Sequence, residues 1–203
     1  MAYFLSALIG YLLGTSNMAT YLAALKGVDL RAGGSGNPGA SNAMLLMGWR
    51  AGLLVGVHDI GKAVLSVLLC AHLFPDAALA GAVAGAACVM GHMFPFYLKF
   101  RGGKGFAPYM GVVLAMHWKF ALLLMLTVIL VTLATDYIVL GTMTTVLSFP
   151  LYAAWTDSLL AGAILALASA VIVYKHRMNL VHIYDGTEIG FRSANRGDHR
   201  VKK

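Results

Sequence analysis

Charge is what this sequence has least of. Only 11% of its 203 residues are Asp, Glu, Lys or Arg, against about 25% in a soluble domain. Acids are the scarcer sign, eight against fifteen Lys and Arg, and Glu188 is the only glutamate. With so few charges a soluble globular surface is excluded, and 60% hydrophobic residues with a mean hydropathy of +0.78 define a membrane composition. Cysteine is nearly absent too. Cys70 and Cys88 both sit in apolar stretches, so they read as small core residues rather than as a disulfide framework. Seven histidines occur, but no His-Glu-x-x-His or comparable ligand spacing accompanies them, so no metal site and no cofactor are expected. The opening Met-Ala-Tyr-Phe-Leu lacks a basic n-region and a cleavage site, and it reads as a retained first span.

What is present are long apolar runs. At about 20 residues per crossing the chain has room for about seven transmembrane helices and no separate soluble domain. The fold expected is all-α: a polytopic membrane protein forming a single integral-membrane domain over 1–203, with a basic, mobile tail at 189–203. Spans are predicted near 2–24, 50–73, 77–97, 105–117, 119–134, 137–155 and 158–174; the fourth is short for a full crossing. Thr135-Asp136 and Thr156-Asp157 read as turns whose Thr or Asp caps the next helix.

The cations orient this bundle. Lys26, Arg31 and Arg50 flank the first loop, and Lys99, Arg101 and Lys104 lie in the third. Lys175, Arg177, Arg192, Arg196, Arg200, Lys202 and Lys203 follow the last span. With seven crossings, thirteen of the fifteen Lys and Arg share one side, which the positive-inside rule makes cytoplasmic, with the N-terminus outside and the C-terminus in the cytoplasm. Cations gathered at span ends do not form a nucleic-acid-binding face.

Three glycine-studded polar segments fall on that cytoplasmic side, and together they predict one anion site. The first contains Gly34-x-Gly36-x-x-Gly39. This is formally a dinucleotide fingerprint, but no strand precedes it and no βαβ unit fits. Closely spaced glycines still let backbone N–H groups approach an anion, and Ser35, Asn37, Ser41 and Asn42 add neutral donors; the plainer reading is a loop capping the second helix. The second segment, Arg101-Gly-Gly-Lys-Gly105, opens a helix, where backbone donors and the dipole favour a phosphate. Lys104, flanked by glycines, can contact it, while Lys99 and Arg101 also fit snorkelling to headgroups. It is not a Walker A loop, because Leu98 and Gly105 replace the required glycine and hydroxyl. Gly91-His92 and Pro95 end the preceding span. The third places His176 and Asn179 on one helical face, with histidine suited to proton transfer. Glu188 either carries a proton or makes a structural bridge or a bond to a glycine-loop N–H. Finally, Asp59 and Lys62 lie one turn apart inside the second span, as a structural ion pair or as part of the active cleft.

Gly-Ser-Gly-Asn-Pro-Gly-Ala-Ser-Asn, Gly-His-x-x-Pro…Arg-Gly-Gly-Lys-Gly and His-x-x-Asn…Gly-Thr-Glu resemble, in order and spacing, the motifs of the bacterial acyl-phosphate:glycerol-3-phosphate acyltransferases, the PlsY family. The resemblance implies seven spans and the Asp59-x-x-Lys62 pair. It also implies transfer of a fatty acyl group from acyl phosphate to the sn-1 hydroxyl of glycerol 3-phosphate, giving lysophosphatidic acid and phosphate in the first acylation of phospholipid synthesis. It implies no metal, acyl-CoA or carrier protein, a monomer in the bacterial cytoplasmic membrane, and an active site facing the cytoplasm. Carried over by position, Ser35, His176 and Asn179 are the catalytic candidates. Gly34, Gly36, Asn37, Gly39, Ser41, Asn42, His92, Gly102, Gly103, Lys104, Gly105 and Glu188 are the substrate-binding ones. Three departures stand out: Leu45 occupies the position of a family arginine, Lys175 that of another, and arginines expected around Val181-His182 are absent. Arg50 or Arg177 is the candidate to compensate at 45, and His182 to stand in for one of the arginines absent around 181–182. The competing reading is an inactive regulatory paralogue or a transporter of a phosphorylated metabolite, although no inverted repeat is visible.

Overall fold

The computed structural model describes residues 1–192, and all regular structure in that range is helical. Of the basic tail expected at 189–203, residues 193–203, with Arg196, Arg200, Lys202 and Lys203, lie outside the described residues. The chain forms two compact units, Met1–Trp118 and Lys119–Lys203.

The first unit contains α1 (Ala2–Thr15), α2 (Met18–Lys26), α3 (Ala40–Met47), α4 (Trp49–Leu73), α5 (Ala80–Met93), a 3₁₀ turn (Phe96–Leu98) and α6 (Phe106–Met116). The first predicted span is therefore broken between α1 and α2. Asn17 makes the break: its side-chain oxygen accepts from the Thr20 N–H at 2.9 Å, and so it caps α2. Glycine sets how closely the helices approach. Gly10 and Gly14, four apart on one face of α1, lie directly against the Ala84 and Cys88 carbonyls of α5, and Gly91 of α5 lies against the Tyr11 carbonyl of α1. A Cβ at any of the three would overlap a backbone oxygen. Between membrane helices there is little hydrophobic drive, so such backbone contact is a main source of packing energy. Gly111 brings α6 equally close to Ile60 of α4. Ser66 of α4 donates to the Ala84 carbonyl at 3.1 Å. Cys70 and Cys88 are free and buried, as small core residues.

The second unit comprises α7 (Trp118–Thr135, whose first residue belongs to the first unit), α8 (Ile138–Thr156) and α9 (Leu159–Tyr184). Gly162 of α9 packs on Pro150 and Ala154 of α8, and Gly141 of α8 packs on Val128 of α7. The turns differ from the sequence expectation. The N-caps are Tyr137 and Ser158, one residue beyond each Thr-Asp pair, and Ser158 accepts from the Ala161 N–H at 3.1 Å. Asp136 adopts φ +74° instead, and its carboxylate is used elsewhere.

Among the described residues, six helical stretches are long and apolar enough to cross a membrane: Ala2–Lys26, Trp49–Leu73, Ala80–Leu98, Trp118–Thr135, Ile138–Thr156 and Leu159–Tyr184. The expected span missing from these six is the fourth, near 105–117, which is α6. Its eleven residues reach only about 16 Å at 1.5 Å per residue, short of a roughly 30 Å hydrocarbon core. The last span is longer than expected, because α9 continues ten residues past 174 to Tyr184 and carries the third polar segment on regular helix. Leu53, Leu65, Leu122, Leu126, Ile129 and Leu130 are each about half exposed, the outer surface of a protein whose solvent is lipid.

Replacing Gly14 by leucine forces α1 off α5. A destabilisation of about 2–3 kcal/mol is expected, seen as a melting temperature lowered by about 5 °C or more in detergent. Gly61→Ala, on the open side of α4 where a Cβ meets nothing within 4 Å, is expected to melt with the native protein; equal melting of Gly14→Leu would refute the close-approach account.

Candidate functional site

The first segment is shaped from within by Asn42, which is fully buried. Its Oδ1 accepts from the Ser35 N–H and its Nδ2 donates to the Leu30 carbonyl, both at 2.8 Å. Gly34, at φ +57°, passes so close over Oδ1 that any Cβ would overlap it. Asn42 therefore braces the loop and does not lie on its surface. Gly36 N–H closes a turn onto the Gly33 carbonyl at 3.1 Å, and Gly39 is the N-cap of α3. Asn37 is half-buried with its amide against Gly39, whereas Ser35 and Ser41 are exposed. Leu45 is half-buried, its methyl at van der Waals distance from where a Gly34 Cβ would stand.

The second segment does not offer all the backbone donors its sequence suggests. The Gly102 and Gly103 N–H groups are already taken: they donate to the Met93 and His92 carbonyls at 3.0 and 3.1 Å. These bonds satisfy the C-terminal end of α5. The two glycines are instead needed for closeness. A Cβ on Gly102 would overlap the His92 carbonyl, and one on Gly103 would overlap His92 Nε2. The loop thus abuts the Nε2 end of the His92 imidazole. Gly105, at φ +92°, then turns the chain into α6 as an N-cap without a side-chain bond. The first-turn amides of α6 are the donors such a terminus offers an anion, with Lys104 half-buried beside them. The first two segments are joined by Arg31, whose Nη2 donates to the Arg101 carbonyl at 2.7 Å.

His92 is 3% exposed and belongs to a polar cluster inside the helices. Lys62 Nζ donates to Asp59 Oδ1 and to the Ser16 carbonyl, both at 2.7 Å, and to His92 Nδ1 at 2.9 Å. His58 completes the cluster, with Nδ1 3.4 Å from Asp59 Oδ1 and Nε2 3.0 Å from Ser16 Oγ. The two sequence alternatives for Asp59 and Lys62 therefore merge: the ion pair is structural, and it abuts the second segment through His92. Ser16 and His58 were not singled out from sequence. The signal for His58 was its spacing, one residue from Asp59 and four from Lys62 on the same helical face; Ser16 had none, since only the break after α1 brings its carbonyl to Lys62.

In the second unit, α9 presents His176, 6% exposed. Its Nδ1 lies 2.9 Å from the Ile172 carbonyl. A carbonyl only accepts, so Nδ1 carries a proton and Nε2 is the basic nitrogen of the neutral ring. Asn179 Nδ2 donates to Glu188 Oε1, and His182 Nδ1 stands 3.5 Å from Glu188 Oε2. Glu188 is thus a bridge to side chains of α9 rather than to a glycine-loop N–H. Its own N–H and that of Thr187 both donate to the His182 carbonyl. The chain beyond is held by Asp136, whose Oδ1 accepts from the Arg192 N–H at 2.8 Å while its backbone carbonyl accepts from Phe191. Of the cations proposed to replace the arginine at 45, Arg177 lies over Tyr174 at 4.0 Å and Arg50 over Trp49 at 5.5 Å.

A profile of the family described as glycerol-3-phosphate acyltransferase matches residues 4–186. The chain is 36% identical over 193 residues to the glycerol-3-phosphate acyltransferase of Clostridioides difficile (strain 630), covering 92% of this chain and 94% of that one. It is 32% identical over 190 residues to glycerol-3-phosphate acyltransferase 1 of Oceanobacillus iheyensis, covering 90% and 92%. Two crystal structures of PlsY (YgiH), an integral membrane glycerol 3-phosphate acyltransferase, are similar throughout. The glycerol 3-phosphate form gives a TM-score of 0.89 at 31% identity over 97% of this chain and 98% of that one. The lysophosphatidic acid form gives 0.86 at 30% identity over 97% and 100%.

Asn42→Leu removes both bonds that brace the first segment and strands two backbone groups, at an expected cost of about 1–3 kcal/mol. Faster hydrogen exchange at the Ser35 amide with the rest of the first unit unchanged is the expected result; unaltered protection would show that Asn42 does not hold the loop.

Proposed function

The chain belongs to the glycerol-3-phosphate acyltransferase family, and from its residues we propose how it makes lysophosphatidic acid. The acyl donor is an acyl phosphate, and the reaction takes place at the cytoplasmic face of the bacterial inner membrane in a monomer. The sn-1 hydroxyl oxygen of glycerol 3-phosphate attacks the acyl carbonyl carbon. The carbon–oxygen bond to the donor's phosphate breaks, and inorganic phosphate leaves. An acyl phosphate is an activated mixed anhydride, so no covalent enzyme intermediate is required, and the work left to the protein is positioning and charge stabilisation.

The observation that carries this reading is the seat of the second segment: a glycine loop pressed onto an imidazole, turning at Gly105 into an uncapped helix N-terminus with Lys104 at its edge. Two phosphorylated substrates bring close to four negative charges. The α6 amides and Lys104 offset them without the bulk of further side chains. Ser35, exposed on a loop held by Asn42, stabilises the developing oxyanion together with loop N–H groups. His176 takes the hydroxyl proton at Nε2, a role supported by the commitment of its Nδ1 proton to Ile172. Glu188 fixes which end of the Asn179 amide is the donor, so Asn179 presents its carbonyl in one orientation. Gly34, Gly36 and Gly39 give the first segment its turns, and Asn37 and Ser41 add neutral donors. The acyl tail lies among apolar side chains open to the bilayer.

Purified protein in detergent, given radiolabelled glycerol 3-phosphate and palmitoyl phosphate, is expected to yield labelled lysophosphatidate. Labelled glycerol phosphate crossing proteoliposomes without product would establish transport instead. Lys104→Ala is expected to raise KM for glycerol 3-phosphate about tenfold or more, as loss of a charged hydrogen bond requires; unchanged kinetics would remove Lys104 from the phosphate site. For His176→Ala the expectation is a kcat lower by roughly 10²–10⁴, and a fall within twofold would pass the proton to the substrate's own phosphate.

A further inference from the structure

An ammonium group has three N–H donors and no acceptor. At Lys62 all three are assigned, to Asp59 Oδ1, the Ser16 carbonyl and His92 Nδ1. The third bond requires a bare lone pair on His92 Nδ1. The neutral ring must then hold its proton on Nε2. The 3.4 Å separation of His92 Nδ1 from Asp59 Oδ1 is accordingly not an ion pair but two acceptors bridged by one ammonium. His58 and Ser16 border the cluster, and Cys88 and Tyr21 also lie within electrostatic reach of Lys62.

The proton so placed faces the second segment. Nε2 abuts Gly103, where a Cβ would overlap it. Among the described residues this nitrogen has no hydrogen-bond partner. It is also not sealed off: among the described residues, the fully enclosed side-chain polar atoms without a partner are the Thr132 and Thr145 hydroxyls. A buried N–H with no acceptor carries a desolvation cost, so an imidazole held this way is suited to an acceptor that arrives with the ligand.

We propose that Asp59 and Lys62 are positioning residues for substrate binding: they hold His92 as the Nε2–H tautomer, and that N–H donates to an oxygen of a phosphate monoester at Gly103. The inference rests on the reading of the second segment as the phosphate site and assigns a role to a charge pair buried inside the span. It also explains why residue 103 must lack a side chain, since a methyl group there would cover the donor.

The test uses native protein labelled with ¹⁵N-histidine. The ring nitrogens of His92 are expected as protonated Nε2 and bare Nδ1. Glycerol 3-phosphate is expected to shift Nε2 and leave Nδ1 bare. Parallel additions of inorganic phosphate and of palmitoyl phosphate show which substrate's phosphate it meets. A proton on Nδ1, or an Nε2 signal indifferent to all three additions, overturns the proposal. The neutral pair Asp59→Asn/Lys62→Met leaves no lone buried charge. It is expected to raise KM for glycerol 3-phosphate about tenfold with kcat within about threefold, and to mix the His92 tautomers. An unchanged KM with mixed tautomers also overturns the proposal. Should the double variant not fold, the native measurement decides alone. Failure of the proposed reaction would appear as absent lysophosphatidate, whereas failure of this inference appears in the His92 resonances with active enzyme.

Discussion

A lysine ammonium inside a membrane helix is tolerable only if every N–H finds an acceptor, because the surroundings offer no water and a low dielectric. In this protein that requirement organises the first unit. The three acceptors of Lys62 come from three places: Asp59 on its own helix, the Ser16 carbonyl at the α1–α2 break, and His92 near the end of α5. Satisfying one charge therefore sets the relation of three helical segments. The break after α1 is part of the solution, since a carbonyl committed to a continuous helix would already be paired within it. Asn17 next to it supplies the cap that makes the interruption possible.

The glycine pattern follows from the same economy of side chains. Gly10, Gly14 and Gly91 let α1 and α5 touch backbone to backbone, and this brings His92 of α5 within reach of α4. Gly102 and Gly103 then let the second segment rest on His92 without an intervening methyl group. Helix packing, charge burial and loop placement are in this way one problem, solved by the residue type with least bulk. In the second unit glycines again set helix packing, but the chain after α9 is placed by polar bridges. Glu188 holds Asn179 and His182, and Asp136 holds the chain just beyond Glu188.

The membrane class and the three polar segments were legible in the sequence because they depend on composition and on local spacing. The face shared by His176 and Asn179 followed from helical periodicity alone, and α9 carries it to Tyr184. The roles of the glycines were less legible. Closely spaced glycines suggested open amides around an anion, yet Gly102 and Gly103 donate to the end of α5. Nothing local distinguishes a glycine needed for its amide from one needed for its missing Cβ. Gly10 and Gly14 did carry a signal, the four-residue spacing of small residues in an apolar helix. Asn42 read as a surface donor, whereas its burial depends on where Leu30 and Ser35 come to lie, and those contacts span twelve and seven residues.

Hydropathy and motif spacing are properties of neighbouring residues, so the helical membrane class and the three family motifs could be read from the chain alone. That Asp59 and Lys62 reach the second segment through His92 emerges only once the helices are packed. This outcome depends on the distance between α4 and α5. Gly81 and Gly85 of α5 lie against Val67 of α4, and no single stretch of the chain contains that approach.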